Sequence, residues 1–176
     1  MEGGDKTMNY FQLFDLEQGF FPDQALVKRK YYELSRRFHP DFFVQQGDAA
    51  RELAEEKLKE VHAAYAVLAD PGRTMAYILG LELGLQAEEK HTLSPGFLME
   101  MMDFNEALQE ADTAEQRAVV REQINSKKRE LYEGIEPVLA AYQPGIVSPE
   151  AMLQIKEYYY QQKYLERLLE EGSQGG

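Results

Sequence analysis

Apolar residues along this chain recur at intervals of three and four positions, the spacing that places side chains on one face of an α-helix. Short runs of β-branched residues and hairpin-type turn pairs are almost absent, so we expect an all-α fold. A short first helix is predicted around residues 10–16. The second and third predicted helices carry apolar stripes at Val27, Tyr31, Leu34 and Phe38, and at Leu58, Val61, Tyr65 and Leu68.

Helix boundaries are predicted from residues that cap or interrupt helices. Asp23 is predicted to cap the second helix. Pro40 is predicted to end it near His39, because proline disfavours helical backbone in the residue before it. Residues 41–48 are expected to form a loop, and seven helices are expected in all, four before about residue 85 and three after it. The later helices are predicted to begin at Asp70-Pro71, Ser94-Pro95, the Thr113 capping box and Ser148-Pro149.

Composition excludes several kinds of chemistry. The chain has no cysteine, which excludes disulfides, thiol nucleophiles and iron–sulfur ligation by this chain. His39, His62 and His91 are widely spaced and form no HExxH motif, so we expect no metal site and no cofactor. No apolar run approaches the roughly 20 residues that span a bilayer, and no signal core or presequence is visible. We therefore expect a protein of the bacterial cytoplasm that does not bind membranes.

Charge is unevenly distributed along the chain. The net charge of −12 argues against general nucleic-acid binding, which requires a surplus of lysine and arginine. Residues 26–38 have the opposite sign, because Lys28, Arg29, Lys30, Arg36 and Arg37 outnumber a single glutamate. A basic stripe on an acidic protein indicates attraction toward an acidic partner.

The basic helix ends in His39-Pro40-Asp41, with two phenylalanines directly behind it. A helix stop alone explains this tripeptide, because a cationic residue suits a helix C-terminus, proline terminates and aspartate favours turns. A proton-transfer pair made by His39 and Asp41 in an enzyme is disfavoured, since no nucleophile or phosphate-cradling glycine motif lies nearby. A third interpretation is a docking site for another protein.

The context of the tripeptide resembles a J-domain, the module of DnaJ-type co-chaperones. The resemblance covers roughly the first 80 residues and includes the opening "YFQLF", the basic helix "LVKRKYYELSRRF" and the run "EVHAAYAVLADPGRTMAYIL". Val61-His62 replaces the usual hydrophobic-Asn pair. The resemblance implies that the chain activates the ATPase of a DnaK-type chaperone and has no enzymatic activity of its own. The chaperone-binding residues that it implies are Lys28, Arg29, Arg36, Arg37, His39, Pro40 and Asp41.

A second amphipathic pattern lies in residues 94–108, "SPGFLMEMMDFNEAL". Phe97, Met101, Phe104 and Leu108 follow a helical stripe that is sufficient to pack a bundle. The far side then carries further apolar residues beside Asp103 and Glu106. Burial of both sides in a central helix explains this pattern, and so does an exposed protein-binding surface with an acidic rim. The far-side apolar residues are Leu98, Met99 and Met102.

This second half resembles the C-terminal domain of the HscB (Jac-type) family, J-proteins dedicated to iron–sulfur cluster biogenesis. The resemblance implies a J-domain at 8–84, a linker at 85–94 and an antiparallel three-helix domain at 95–171. It also implies binding to the scaffold protein IscU and its delivery to a specialised DnaK-type chaperone, HscA; a J-protein for another client remains the alternative. Tyr164 is equally consistent with bundle core. The scaffold-binding residues that the resemblance implies are Leu98, Met99, Met102, Asp103, Glu106 and Tyr164.

Overall fold

The computed structural model describes residues 7–84 and 90–173, and these residues form seven α-helices and no strand. This confirms the predicted all-α fold. The chain divides into two compact units, with the division between Leu81 and Glu82. Residues 85–89 of the predicted linker lie outside the described residues, and the domain boundaries at 8–84, 85–94 and 95–171 remain a prediction. The α-helices are α1 Tyr10–Leu13, α2 Gln24–Arg37, α3 Asp48–Leu68, α4 Pro71–Leu83, α5 Pro95–Glu110, α6 Ala114–Ala140 and α7 Pro149–Glu171.

The first unit is built on the antiparallel pair α2 and α3. Asp23 caps α2 as predicted, because its carboxylate accepts hydrogen bonds from the N–H groups of Ala25 and Leu26. Val27 of α2 and Val61 of α3 are fully buried, and α3 also contacts α1. The other fully buried apolar residues of this unit include Phe11, Phe14, Ala64, Leu68, Ile78 and Leu79.

Two predictions about the first unit are wrong in detail. The first helix ends at Leu13 rather than near residue 16, and Asp15 then adopts a left-handed backbone conformation with φ of 51°. Residues 41–48 are not an irregular loop, because Pro40–Gln46 form a 3-10 helix that packs on α3. The Phe42 N–H donates to the carbonyl of His39, an i→i+3 bond that the repeating pattern of apolar residues did not indicate.

The second unit packs α5, α6 and α7 around one core. Each helix contributes to a continuous apolar cluster made of Leu93, Phe97, Met101, Val120, Ile124, Leu165 and Leu168. The segment before α5 is attached to α7, because Glu157 accepts a hydrogen bond from the backbone N–H of Ser94 at 3.2 Å and contacts His91 at 2.5 Å. The His91 ring also stacks on Tyr160 with 4.7 Å between ring centroids.

Candidate functional site

The first candidate site is the corner between α2 and the 3-10 helix. The Phe38 N–H closes the last turn of α2 by donating to the Leu34 carbonyl at 3.0 Å. His39 then takes an extended conformation, with φ of −65° and ψ of 126°, as the residue before a proline does. Pro40 begins the next helix. The chain therefore turns sharply at a point where proline limits the backbone freedom.

Within this corner, His39 and Asp41 are in contact and both are accessible. The Asp41 N–H donates to His39 Nδ1 at 3.3 Å, and an Asp41 carboxylate oxygen lies 3.6 Å from the same nitrogen. The side chains are 50% and 85% exposed, respectively. Because Nδ1 accepts a hydrogen bond, the proton of the neutral ring is on Nε2. The corner thus offers one donor and one carboxylate to an approaching molecule.

The four basic residues of α2 that are predicted to bind the chaperone are all exposed, whereas Lys30 is partly buried and lies 3.7 Å from an Asp15 carboxylate oxygen. Lys28 and Arg29 lie near the start of the helix, and Arg36 and Arg37 lie in its last turn, directly before His39. The guanidinium of Arg37 is 5.5 Å from the centre of the Phe38 ring. A helix of this length extends about 21 Å. The structure therefore gathers all seven predicted chaperone-binding residues along one helix and the corner that ends it.

The second candidate site is the outer face of α5. The predicted core stripe is confirmed: Phe97 and Met101 are buried, and Phe104 and Leu108 pack partly buried against the same cluster. On the other side, Met99 and Met102 are 67% and 69% exposed, and Asp103 is exposed as well. Glu106, one turn further along, is also exposed. The interpretation in which both sides of α5 are buried is therefore wrong for the methionines.

Leu98 and Tyr164 differ from these exposed residues. Leu98 was expected on the far side of α5, but it is partly buried against the core because it lies at the edge of the stripe that contains Met101. Tyr164 is also partly buried, and its ring meets the Phe97 ring edge-to-face at 6.2 Å between centroids. The guanidinium of Arg167 lies over the Tyr164 ring, 6.0 Å from its centre. Both side chains therefore contribute to packing as well as to the surface.

Glu100 was not predicted as a site residue, yet the structure fixes its position beside Met99. Lys127 of α6 reaches across to it, with 3.0 Å between Nζ and a carboxylate oxygen. Burial by itself lowers the pKa of Lys127, but the hydrogen bonds and negative charges of Glu100 and Glu130 outweigh burial and raise that pKa. Since Lys127 lies 27 residues away in the sequence, no local pattern indicates this pair.

The described residues contain no group of three or more His, Cys, Asp or Glu side chains that can hold a metal ion. Among the same residues, no helix combines the length and the apolar character that crossing a membrane requires.

Comparison with known families matches both units. Residues 9–77 match the DnaJ domain, and residues 93–171 match the HSCB C-terminal oligomerisation domain. A co-chaperone HscB homologue of Cupriavidus taiwanensis is 34% identical over 76% of this chain and 78% of its own length. The chain belongs to the HscB family of J-domain co-chaperones. A human relative, named iron-sulfur cluster co-chaperone protein HscB, is 29% identical over 77% of this chain and 58% of its own length.

Solved structures of HscB proteins have the same fold. Chaperone HscB from Vibrio cholerae superposes with a TM-score of 0.71 at 27% identity, covering 95% of this chain and 96% of that protein. Human co-chaperone HscB gives a TM-score of 0.78 at 25% identity, covering 98% of this chain and 84% of the human protein. The likeness extends through both units, so the HscB assignment does not depend on the J-domain alone.

Proposed function

We propose that this HscB-family protein binds the iron–sulfur scaffold protein IscU and delivers it to HscA, a DnaK-type chaperone, in the bacterial cytoplasm. Contact through the His39-Pro40-Asp41 corner stimulates ATP hydrolysis by HscA, which assists the maturation of iron–sulfur proteins. The J-domain occupies residues 8–84 and the scaffold-binding domain residues 95–171, joined by a linker at 85–94. The chain supplies no catalytic residue and needs no cofactor.

One observation carries this proposal: the accessible His39–Asp41 pair lies directly after a helix with an exposed basic side. Lys28, Arg29, Arg36 and Arg37 attract an acidic partner over several ångströms, and the proline-limited turn then presents a donor and a carboxylate at short range. In this proposal the chemistry takes place in the partner, and the contact shifts that partner's conformational equilibrium.

The exposed face of α5 supports scaffold binding. Met99 and Met102 give a flexible apolar surface, and Asp103 and Glu106 give it an acidic rim. Burial of a methionine side chain stabilises a complex by roughly 1.5–3 kcal/mol, and a micromolar complex needs about 8 kcal/mol. Two methionines with the exposed parts of Leu98 and Tyr164 therefore account for a large share of such an affinity before ordering costs.

The experiment that tests this function is single-turnover ATP hydrolysis by HscA with this protein, IscU, both or neither. We expect the wild type to stimulate hydrolysis, and IscU to increase that stimulation further. The variant His39→Gln removes the imidazole ring while keeping a polar side chain, so it should abolish stimulation with unchanged helical content by circular dichroism. Equal stimulation by His39→Gln would contradict the proposed role of the corner.

A further inference from the structure

Phe42, immediately after Asp41, is exposed in a way that folding does not explain. The side chain has 69% of its surface accessible, whereas its neighbour Phe43 is partly buried. Phe43 thus contributes to packing of the 3-10 helix and Phe42 does not. An aromatic ring left in water beside a polar recognition corner is a feature of contact residues in protein interfaces, where aromatic side chains are enriched.

The structure fixes where the Phe42 ring lies relative to the corner. Its backbone N–H donates to the His39 carbonyl at 3.1 Å, which anchors the residue in the first turn of the 3-10 helix. Its ring meets the His39 ring edge-to-face, with 6.1 Å between centroids and 77° between planes. The apolar surface of Phe42 is therefore continuous with the polar surface of His39 and Asp41, and any protein that covers this pair also reaches Phe42.

We propose that Phe42 is an affinity-determining contact residue for the DnaK-type chaperone, which must offer an apolar pocket beside its acidic surface. The inference rests on the proposed function and names a further property of the partner. Arg36 and Arg37 lie at the same end of α2 and supply the charge complementarity to the carboxylates around that pocket. The occupant of the Phe42 surface is therefore the chaperone and not the scaffold protein.

Charge and apolar contact discriminate between partners in different ways. Attraction between exposed charges is largely screened beyond about 8 Å at physiological salt, so it mainly speeds the encounter and favours partners of complementary charge. Burial of an aromatic ring requires a pocket of matching shape and is much less sensitive to salt. Phe42 should consequently determine how tightly the chaperone binds, while His39 and Asp41 determine whether binding triggers hydrolysis.

The test titrates HscA with the wild type and with each of three variants and measures the stimulation of the HscA ATPase at each concentration. The variants are Phe42→Ala, Phe42→Leu and Phe21→Ala. We expect Phe42→Ala to raise the half-maximal concentration roughly tenfold and to leave the maximal rate unchanged, since only binding is affected. Phe42→Leu, which stays apolar, should show a smaller increase. Phe21 is the matched control, because it is 59% exposed but precedes α2, at the opposite end of that helix.

Two results would overturn the inference. One is that Phe42→Ala leaves both the half-maximal concentration and the maximal rate unchanged. The other is that it lowers the maximal rate at an unchanged half-maximal concentration, which would mean that Phe42 positions His39 and does not contact the chaperone. The His39→Gln variant separates this inference from the proposed function. If His39→Gln abolishes stimulation and Phe42→Ala binds normally, only the role of Phe42 is wrong. If His39→Gln stimulates normally, the proposed function itself is wrong.

Discussion

At His39, one ring nitrogen has two neighbours that require opposite protonation states. Nδ1 accepts the Asp41 N–H at 3.3 Å only when it carries no proton, whereas an ion pair with the Asp41 carboxylate at 3.6 Å requires a proton there. The neutral ring therefore leaves the carboxylate free for a partner. This single hydrogen bond orients the imidazole and leaves the Nε2 proton as the donor, so the polarity of the corner is determined locally.

Tyr158 of α7 supports a prediction about stability at alkaline pH. It is only 9% exposed, and burial, together with the nearby charges of Tyr132 and Glu166, raises its pKa to about 12. When the pKa of a tyrosine is higher in the folded state than in the unfolded state, its stabilising contribution is fully present below pH 10. That contribution is lost as the pH rises toward 12. Between pH 9 and pH 11 the wild type should lose roughly 1 kcal/mol more unfolding free energy than Tyr158→Phe. Urea denaturation at the two pH values measures this difference, and equal losses would mean that Tyr158 ionises in the folded protein as it does in water.

Among the helices, three begin with a proline that follows a potential capping residue, but the capping residue does not act in the same way in all three. Asp70 and Ser148 cap α4 and α7 with their side chains, accepting from the N–H groups of Arg73 at 2.8 Å and Ala151 at 3.3 Å. Ser94 precedes Pro95 in the same pattern, yet its side chain makes no cap hydrogen bond to α5. Instead, its backbone N–H donates to Glu157, which holds this segment on α7.

We therefore expect substitution by alanine to have different effects on stability at Ser148 and at Ser94. Ser148→Ala should lower the unfolding free energy by about 1 kcal/mol, because it removes an N-cap hydrogen bond. Ser94→Ala removes no cap bond and keeps the backbone contact with Glu157, so its unfolding free energy should stay within about 0.5 kcal/mol of the wild type. Chemical denaturation of both variants under the same conditions makes the comparison. A larger loss for Ser94→Ala than for Ser148→Ala would contradict the cap assignment.

At the scale of the whole molecule, the proposed function requires two separate surfaces on one chain. Met99→Ala combined with Met102→Ala should weaken IscU binding at least roughly tenfold, because both side chains bury apolar surface in the complex. The same variant should keep the stimulation of HscA that occurs without IscU. Leu153→Ala is the control, since Leu153 is 56% exposed on α7 but lies about 16 Å along that helix from Tyr164. Isothermal titration calorimetry gives the affinities.

Mixing variants tests whether one molecule must carry both surfaces. A mixture of His39→Gln with the double methionine variant contains an intact corner and an intact α5 face, but on different molecules. If the protein acts by tethering IscU to HscA, this mixture should not recover IscU-dependent stimulation, since the gain comes from a high effective concentration on one chain. Recovery to the wild-type level would show that tethering is unnecessary.

Local sequence patterns were sufficient to predict the helix periodicity, the Asp23 and Thr113 caps, the end of α2 shortly before Pro40 and the core stripe of α5. Each of these depends on residues within about four positions of one another, so the local pattern contains the physical cause. The family resemblance, which the comparisons confirm, added the division into two functional units. The individual binding residues within those units stay predictions until they are measured.

The folded structure was needed to show how much of Leu98 and Tyr164 is buried, that Ser94 does not cap α5, and that Glu100 is held by Lys127. Two of the neighbours involved lie on other helices, tens of residues away: Phe97 for Tyr164 and Lys127 for Glu100. The 3-10 helix after Pro40 belongs to the same class, because it packs on α3 and leaves Phe42 exposed beside His39. Periodicity reports which face of a helix is apolar, but burial depends on which other helix covers that face.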